Sequence, residues 1–163
     1  MPVLPSRLQS VLFALYRRMP VAGRLFVVRR MTPSFHVGAI CVVERPDGAL
    51  LMLRQSYRRK TAWSFPGGLL KRDEAPVDAA RREVCEEIGI EVELDPVPKV
   101  VIEPRSRRVD VIYTARAAEG AEPAPCSPEV VEVRWFPPHD LPELTPEAAS
   151  ALVELGRANR PGR

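Results

Sequence analysis

Between Pro66 and Gly89 the chain reads PGGLLKRDEAPVDAARREVCEEIG, and no other stretch constrains the fold as strongly. Two adjacent glycines mark a backbone that turns sharply or approaches another group closely. The residues after them have helical spacing. Ala79, Ala80, Val84 and Ile88 share one side of a helix predicted over 75–88, with Asp73 as its N-cap and Gly89 as its stop. Glu83, Glu86 and Glu87 stand at i, i+3 and i+4, so three carboxylates share one stripe. Like charges at these spacings cost roughly a few tenths of a kcal/mol per pair in an isolated helix. Taken alone, the stripe is a solvated face with excess acid. Around a divalent cation the same stripe becomes a ligand set. Hard oxygen donors at this density suit Mg²⁺ or Mn²⁺, and the absence of nearby His or Cys argues against zinc.

Strand-like runs flank this segment. FHVGAICVVE and ALLMLRQ, joined by Pro46-Asp47-Gly48, read as a β-hairpin because Asp-Gly supplies the positive-φ turn. Residues 63–70 read as a Pro-Gly-Gly loop. IEVELDPVPKVVIEP, RRVDVIYTARA and EVVEVRWFP are strand candidates, and a helix over 146–157 follows Thr145 as its cap. The stretch EGAEPAPCSP has the composition of a mobile loop. Before the hairpin, 7–19 and 21–31 are two short basic helices split at Pro20. The order is mixed α and β. It divides into a basic helical extension over 1–31, one domain over 32–158 and a frayed tail over 159–163.

The 163 residues, 45% hydrophobic and 28% charged, suit one soluble domain with a real core. A net charge of +3 permits an anionic ligand but does not argue for a nucleic-acid partner. The charge is unevenly placed, because Arg7, Arg17, Arg18, Arg24, Arg29 and Arg30 all precede Glu44, the first acidic residue. Cys41, Cys85 and Cys126 match no zinc spacing and cannot all pair, so they read as core or incidental thiols in a reduced, cytoplasmic setting. The apolar run 8–16 is too short to span a bilayer and has no cleavage site after it.

Counted from Gly68, five residues lead to Glu74, seven more to Arg82, then Glu83, Val84, Cys85, Glu86, Glu87, Ile88, Gly89 and Ile90. This resembles the Nudix hydrolase signature, G-x5-E-x7-R-E-U-x-E-E-x-G-U with U aliphatic, and every fixed position is filled. The match is tight over 68–90 and looser from about Phe35 to Leu155. The resemblance implies an α/β fold, a mixed central sheet sandwiched by helices, with the helical extension lying outside it. It further implies metal-dependent hydrolysis of a nucleoside diphosphate linked to another moiety, by water attack on phosphorus. Carried over by position, Glu86 and Glu87 would hold Mg²⁺ or Mn²⁺ with the carbonyl of Gly67. Glu83 would be a further ligand or the base. Arg82 would orient a neighbouring carboxylate, and Glu74 would support the loop or the metals. One departure is Asp73, where many relatives carry glycine.

Physically such a site is coherent, since cations neutralise a diphosphate and lower the pKa of bound water. The alternative is a non-catalytic nucleotide-binding or membrane-surface module, which would be expected to have lost Glu83, Glu86 or Glu87. Substrate contacts are expected from Arg54 and Arg58, beside Arg59 and Lys60, from Gly68, and from Arg105, beside Arg107 and Arg108. Each single arginine reads equally as a solvated loop residue. Trp63, Tyr57 and Phe35 could stack on a base, although Trp63 suits a core. His36 and His139 stand isolated, and Glu103, Glu129 and Glu132 are candidate bases outside the motif. The substrate class stays open among nucleoside triphosphates, nucleotide sugars and ADP-ribose. In the extension, Leu8, Val11, Leu12, Leu15 and Met19 share a helical face. That face is expected to pack on the domain or on a second subunit, as in a homodimer; docking on anionic lipid is the sharper alternative.

Overall fold

The computed structural model describes residues 6–59, 61–118 and 120–157. Lys60, the tail 159–163 and the side chains of Arg7, Leu8 and Val11 lie outside the described residues. The chain separates into two compact units, Met1–Phe35 and His36–Arg163. In the first unit, α1 (Ser6–Arg18) and α2 (Val21–Met31) are parted by Pro20, whose extended backbone interrupts the helical run.

The second unit is built on a seven-stranded mixed sheet. Its strands are β1 (His36–Glu44), β2 (Leu50–Gln55), β3 (Gly67–Leu69), β4 (Val92–Leu94), β5 (Lys99–Glu103), β6 (Arg108–Ala117) and β7 (Val130–Phe136). The main path is β4-β6-β1-β2-β7, with β3 on β1 and β5 on β6. β1 and β6 run parallel, from His36 opposite Arg108 to Glu44 opposite Arg116. The expected hairpin forms, with Gly48 at φ 84 in its turn, but β1 and β2 meet only at Glu44 and Leu50. The rest of that edge of β1 is taken by β3, with Gly38, Ala39 and Ile40 opposite Leu69, Gly68 and Gly67. The segment read as a loop over 63–70 therefore contains a short strand, because its glycines fit against the β1 backbone. The candidate run over 90–104 likewise splits into β4 and β5, which both pair with β6.

β1 alternates between two buried faces, as a central strand covered on both sides must. Ala39, Cys41 and Val43 join Leu51, Leu53, Tyr113 and the apolar side of α3 (Pro76–Ile88). Ile40 and Val42 join Met52, Phe65, Ile112 and α4 (Pro146–Glu154) on the other face. Alanines at 79 and 80 keep α3 close to the sheet, and Val84 and Ile88 are fully buried beneath it. Trp63 belongs to the second core, edge-on to Phe136 with ring centroids 4.8 Å apart. Cys41 sits in the first core, where burial pushes its thiol up to about 12 and leaves it inert.

Helix ends explain most remaining local structure. Thr145 caps α4 by accepting from Ala148 N at 3.3 Å, a contact worth about 1 kcal/mol. Gly89 ends α3 at φ 70. Asp73 is not the α3 cap: the N-cap is Ala75, without a side-chain bond, and Pro76 begins the helix. Asp73 instead stands at φ 61, in the left-handed region that glycine occupies at least cost. The stretch read as a mobile loop over 119–128 is tied at its far end. Ala124 N and Cys126 N donate to the carbonyls of Ile88 and Glu87, satisfying two orphan acceptors at the end of α3.

Candidate active site

The site forms where β3 passes in front of α3. A Cβ on Gly67 would overlap the Ala39 carbonyl oxygen, and one on Gly68 would overlap the Glu83 carboxylate. Glycine at both positions lets the β3 backbone lie directly on β1 and directly under an α3 side chain. Gly68→Ala should force the Glu83 carboxylate aside and lower turnover at least about tenfold, because small misplacements of reacting groups are costly. The check is steady-state kinetics beside a urea midpoint. An unchanged rate in the folded variant would show that Glu83 need not sit against this backbone.

Arg82 organises the acidic stripe. Its Nε donates to Glu74 Oε1 at 2.7 Å and its Nη2 to Glu74 Oε2 at 3.0 Å, a bidentate pair. Its Nη1 donates to both Glu83 Oε1 at 2.7 Å and Glu86 Oε2 at 3.1 Å. One cationic nitrogen thus draws two of the three carboxylates together. Lys71 adds its Nζ to Glu86 at 3.4 Å, while its backbone N–H donates to Glu74 Oε2 at 2.7 Å. The Arg82 hydrogen bonds, and then the Lys71 N–H, hold the Glu74 carboxyl down at about 2.

Glu87 occupies a different environment. It is buried, its Oε2 accepts from Gly67 N at 2.9 Å, and its Oε1 accepts from Gln55 Nε2 at 3.0 Å. Gln55 is itself buried and accepts at Oε1 from Arg58 Nε at 2.9 Å, and Arg58 Nη1 pairs with Glu147 at 3.0 Å. A continuous relay therefore runs from α4 through β2 to α3 and β3. Burial raises the Glu87 carboxyl to about 7, and the charges of Glu83 and Glu129 push it the same way, while the Gly67 and Gln55 bonds oppose them. A neighbouring positive charge would oppose that shift and favour the carboxylate.

A NUDIX domain model matches residues 34–155. The chain belongs to the Nudix family. It is a pyrophosphohydrolase of the class that cleaves phosphoric anhydride bonds. A MutT-like protein of Streptomyces ambofaciens is 34% identical over 117 residues, covering 71% of this chain and 73% of that protein. An NAD-capped RNA hydrolase of Deinococcus radiodurans is 31% identical over 133 residues, covering 80% of this chain but 45% of that larger protein. Among solved structures, a Nudix hydrolase of Nitrosomonas europaea superposes with a TM-score of 0.66 at 23% identity, covering 74% of this chain and 69% of that one. A MutT Nudix hydrolase of Burkholderia pseudomallei superposes with a TM-score of 0.60 at 25% identity, covering 76% and 99%.

The Nudix segment thus brings Gly67, Gly68, Glu74, Arg82, Glu83, Glu86 and Glu87 to one place. The outlying candidates scatter. Arg54 is held across the β2–β7 pair by Glu132, with Nη2 at 2.9 Å, and Arg134 takes the other Glu132 oxygen at 2.6 Å. Arg58 is engaged by Gln55 and Glu147, and Tyr57 is exposed beside it. Arg105 lines a cleft of about 550 Å³ with His36, Leu69, Glu103, Ser106 and Arg108. Arg107 adopts φ 51 in the turn before β6, and Arg108 is paired with Asp110 at 2.7 Å. Among the described residues, no hydrogen bond or ion pair involves His139.

Two contributors escaped the motif. Gln55 could have been found by period-two alternation, since Leu51 and Leu53 face α3 and the next position on that face is Gln55. Lys71 lies inside the five-residue spacer of the signature, where residue type is unconstrained, and nothing in the sequence singles it out.

Proposed function

We propose that the chain hydrolyses a nucleoside diphosphate linked to a further moiety, with Mg²⁺ or Mn²⁺ held by Glu83, Glu86, Glu87 and the Gly67 carbonyl. The observation that carries this reading is the shared nitrogen of Arg82 between Glu83 and Glu86, beside a buried Glu87 whose carboxyl is raised to about 7. Among the described residues no three His, Cys, Asp or Glu side chains are already gathered around one point. Their oxygens are drawn to Arg82, Lys71, Gln55 and Gly67 N–H instead. The donor chemistry fits a hard divalent ion, and Glu86, with its side chain 52% exposed, is free to swing from Lys71 toward one. Such an ion, when bound, neutralises the diphosphate and makes water more acidic.

The chain's own residues then have distinct roles. Arg82 fixes Glu83, and Glu74 fixes Arg82. Glu129 is the outlying carboxylate best suited to take the proton of the attacking water, because its charge is felt at Glu87 and it forms no ion pair among the described residues. Glu132 is spent on two arginines, and Glu103 lies in the cleft, where its Oε1 accepts from Arg105 N at 3.1 Å. That cleft opens beside Leu69 of β3, which supports Arg105 and Ser106 as the groups that receive the moiety beyond the scissile phosphate. Membership of the family supports a nucleoside diphosphate derivative as the substrate class. The ADP-ribose pyrophosphatase of Streptococcus suis, 26% identical with a TM-score of 0.56, supports ADP-ribose as one candidate within that class.

The test is a panel of nucleoside triphosphates, nucleotide sugars and ADP-ribose with Mg²⁺ or Mn²⁺, scored by phosphate release after added phosphatase. Hydrolysis should require the cation and vanish with EDTA. Glu129→Gln should lower kcat at least about tenfold with KM nearly unchanged, because a base acts in the transition state. Full hydrolysis by metal-free protein in EDTA would refute the mechanism, and a loss confined to KM would remove Glu129 from proton transfer.

A further inference from the structure

The first unit carries a surface that hydrolysis does not use. No acidic residue precedes Glu44, and six arginines do. Arg17 and Arg18 fill the last turn of α1, and Arg29 and Arg30 the last turn of α2. Arg24 has a separate task. It donates from Nε to Met19 O at 3.0 Å and from Nη2 to Arg17 O at 2.5 Å, and it lies over the Tyr16 ring at 5.6 Å. It therefore locks the turn between the helices, while Arg17, Arg18, Arg29 and Arg30 are exposed.

Large apolar side chains stand among these charges. Phe13 is 63% exposed, Val21 69%, Phe26 70% and Met31 80%. An open groove of about 710 Å³ between α1 and α2 is lined by Leu12, Phe13, Leu15, Tyr16, Val28 and Met31. Phe13 and Met31 line that groove and Val21 and Phe26 add exposed apolar area on the same two helices, and exposed apolar surface on this scale marks an interaction site.

We propose that this helical pair docks reversibly on an anionic lipid surface, its apolar side chains entering the headgroup boundary and Arg17, Arg18, Arg29 and Arg30 meeting lipid phosphates. Charge selects the occupant. A second copy of the same surface would bring Arg17, Arg18, Arg29 and Arg30 against the same four residues, with no carboxylate before Glu44 to receive them. An anionic bilayer supplies both an apolar medium and the opposite charge, and basic residues near it each add to binding. No described helix is long and apolar enough to cross a membrane, so the contact is interfacial. The inference rests on the first unit alone and does not depend on which pyrophosphate the second unit cleaves.

The experiment is cosedimentation of the full chain with vesicles of phosphatidylcholine mixed with phosphatidylglycerol, and with vesicles of phosphatidylcholine alone. The protein should pellet with the anionic vesicles at low salt, be released at high salt, and stay in solution with the neutral ones. Arg17→Glu with Arg18→Glu, or Arg29→Glu with Arg30→Glu, should weaken binding more than about tenfold per pair. Phe13→Glu with Phe26→Glu should abolish it. Circular dichroism and pyrophosphate hydrolysis of each variant should match the parent, which separates lost docking from lost folding. Equal binding to both vesicle types would overturn the proposal, as would no binding to anionic vesicles at low salt. A solution mass that shows a dimer, broken by Phe13→Glu with Phe26→Glu, would assign the face to a second copy instead.

Discussion

Glu87→Gln is expected to lower turnover by about a hundredfold or more while the protein still folds, since in the proposed site it removes a ligand to the cation and forfeits several kcal/mol of transition-state stabilisation. The isosteric change is severe for two reasons. A neutral amide is a poor donor to a hard cation. It also brings an NH₂ group where both neighbours donate, Gly67 N–H at one oxygen and Gln55 Nε2 at the other. Gln55 cannot flip to accept without losing Arg58, which donates to its Oε1. The fault therefore travels along the relay to Glu147. The measurement is kcat across Mg²⁺ concentrations together with a thermal melt. Turnover within a few-fold of the parent at saturating Mg²⁺ would move the cation away from Glu87. A normal metal titration with a collapsed melt would make the residue structural.

The relay also shows what the sequence could and could not reveal. The α3 stripe was legible because a helix has one period, and Glu83, Glu86 and Glu87 have to meet on it. The two-sided core was legible in the unbroken apolar runs of β1 and β2. β3 was not legible, since GGL has no strand propensity and is drawn into the sheet only because β2 diverges from β1 after one pair. Propensity reports on local preference, and here tertiary pairing overrides it. Asp73 misled for a related reason. An Asp just before a helical run suits a cap, yet the same residue type tolerates the left-handed backbone, and Pro76 settles the start of the helix. The arginines were ambiguous because a guanidinium serves a phosphate and a carboxylate equally well, and only the fold shows that Arg54 and Arg58 already have carboxylates.

Arg82→Ala is expected to reduce turnover by about a hundredfold, although Arg82 is no ligand and need not touch substrate. Its guanidinium spans Glu74, Glu83 and Glu86 and reaches the Leu69 carbonyl of β3 at 3.4 Å, so it ties the stripe to the glycine strand. Truncation frees three carboxylates to repel one another where, in the proposed function, a diphosphate would approach. Arg82→Lys should restore only part of the rate, since an ammonium supplies charge near Glu83 and Glu86 but cannot reproduce the bidentate fork on Glu74. Stability should follow pH with a definite sign. The Glu74 carboxyl lies at about 2 in the folded chain, below its ordinary value of 4.5, chiefly through its Arg82 bonds. A depressed carboxylate stabilises the fold fully above its unfolded value, and that contribution fades as pH falls through the folded one. The parent should therefore melt above Arg82→Ala by a margin that is steady near neutrality, narrows below about pH 4.5 and closes toward pH 2. A margin that stays constant down to pH 2 would show that Arg82 stabilises the fold by packing rather than through Glu74. Near-parental turnover in Arg82→Ala would show that the stripe holds its own geometry.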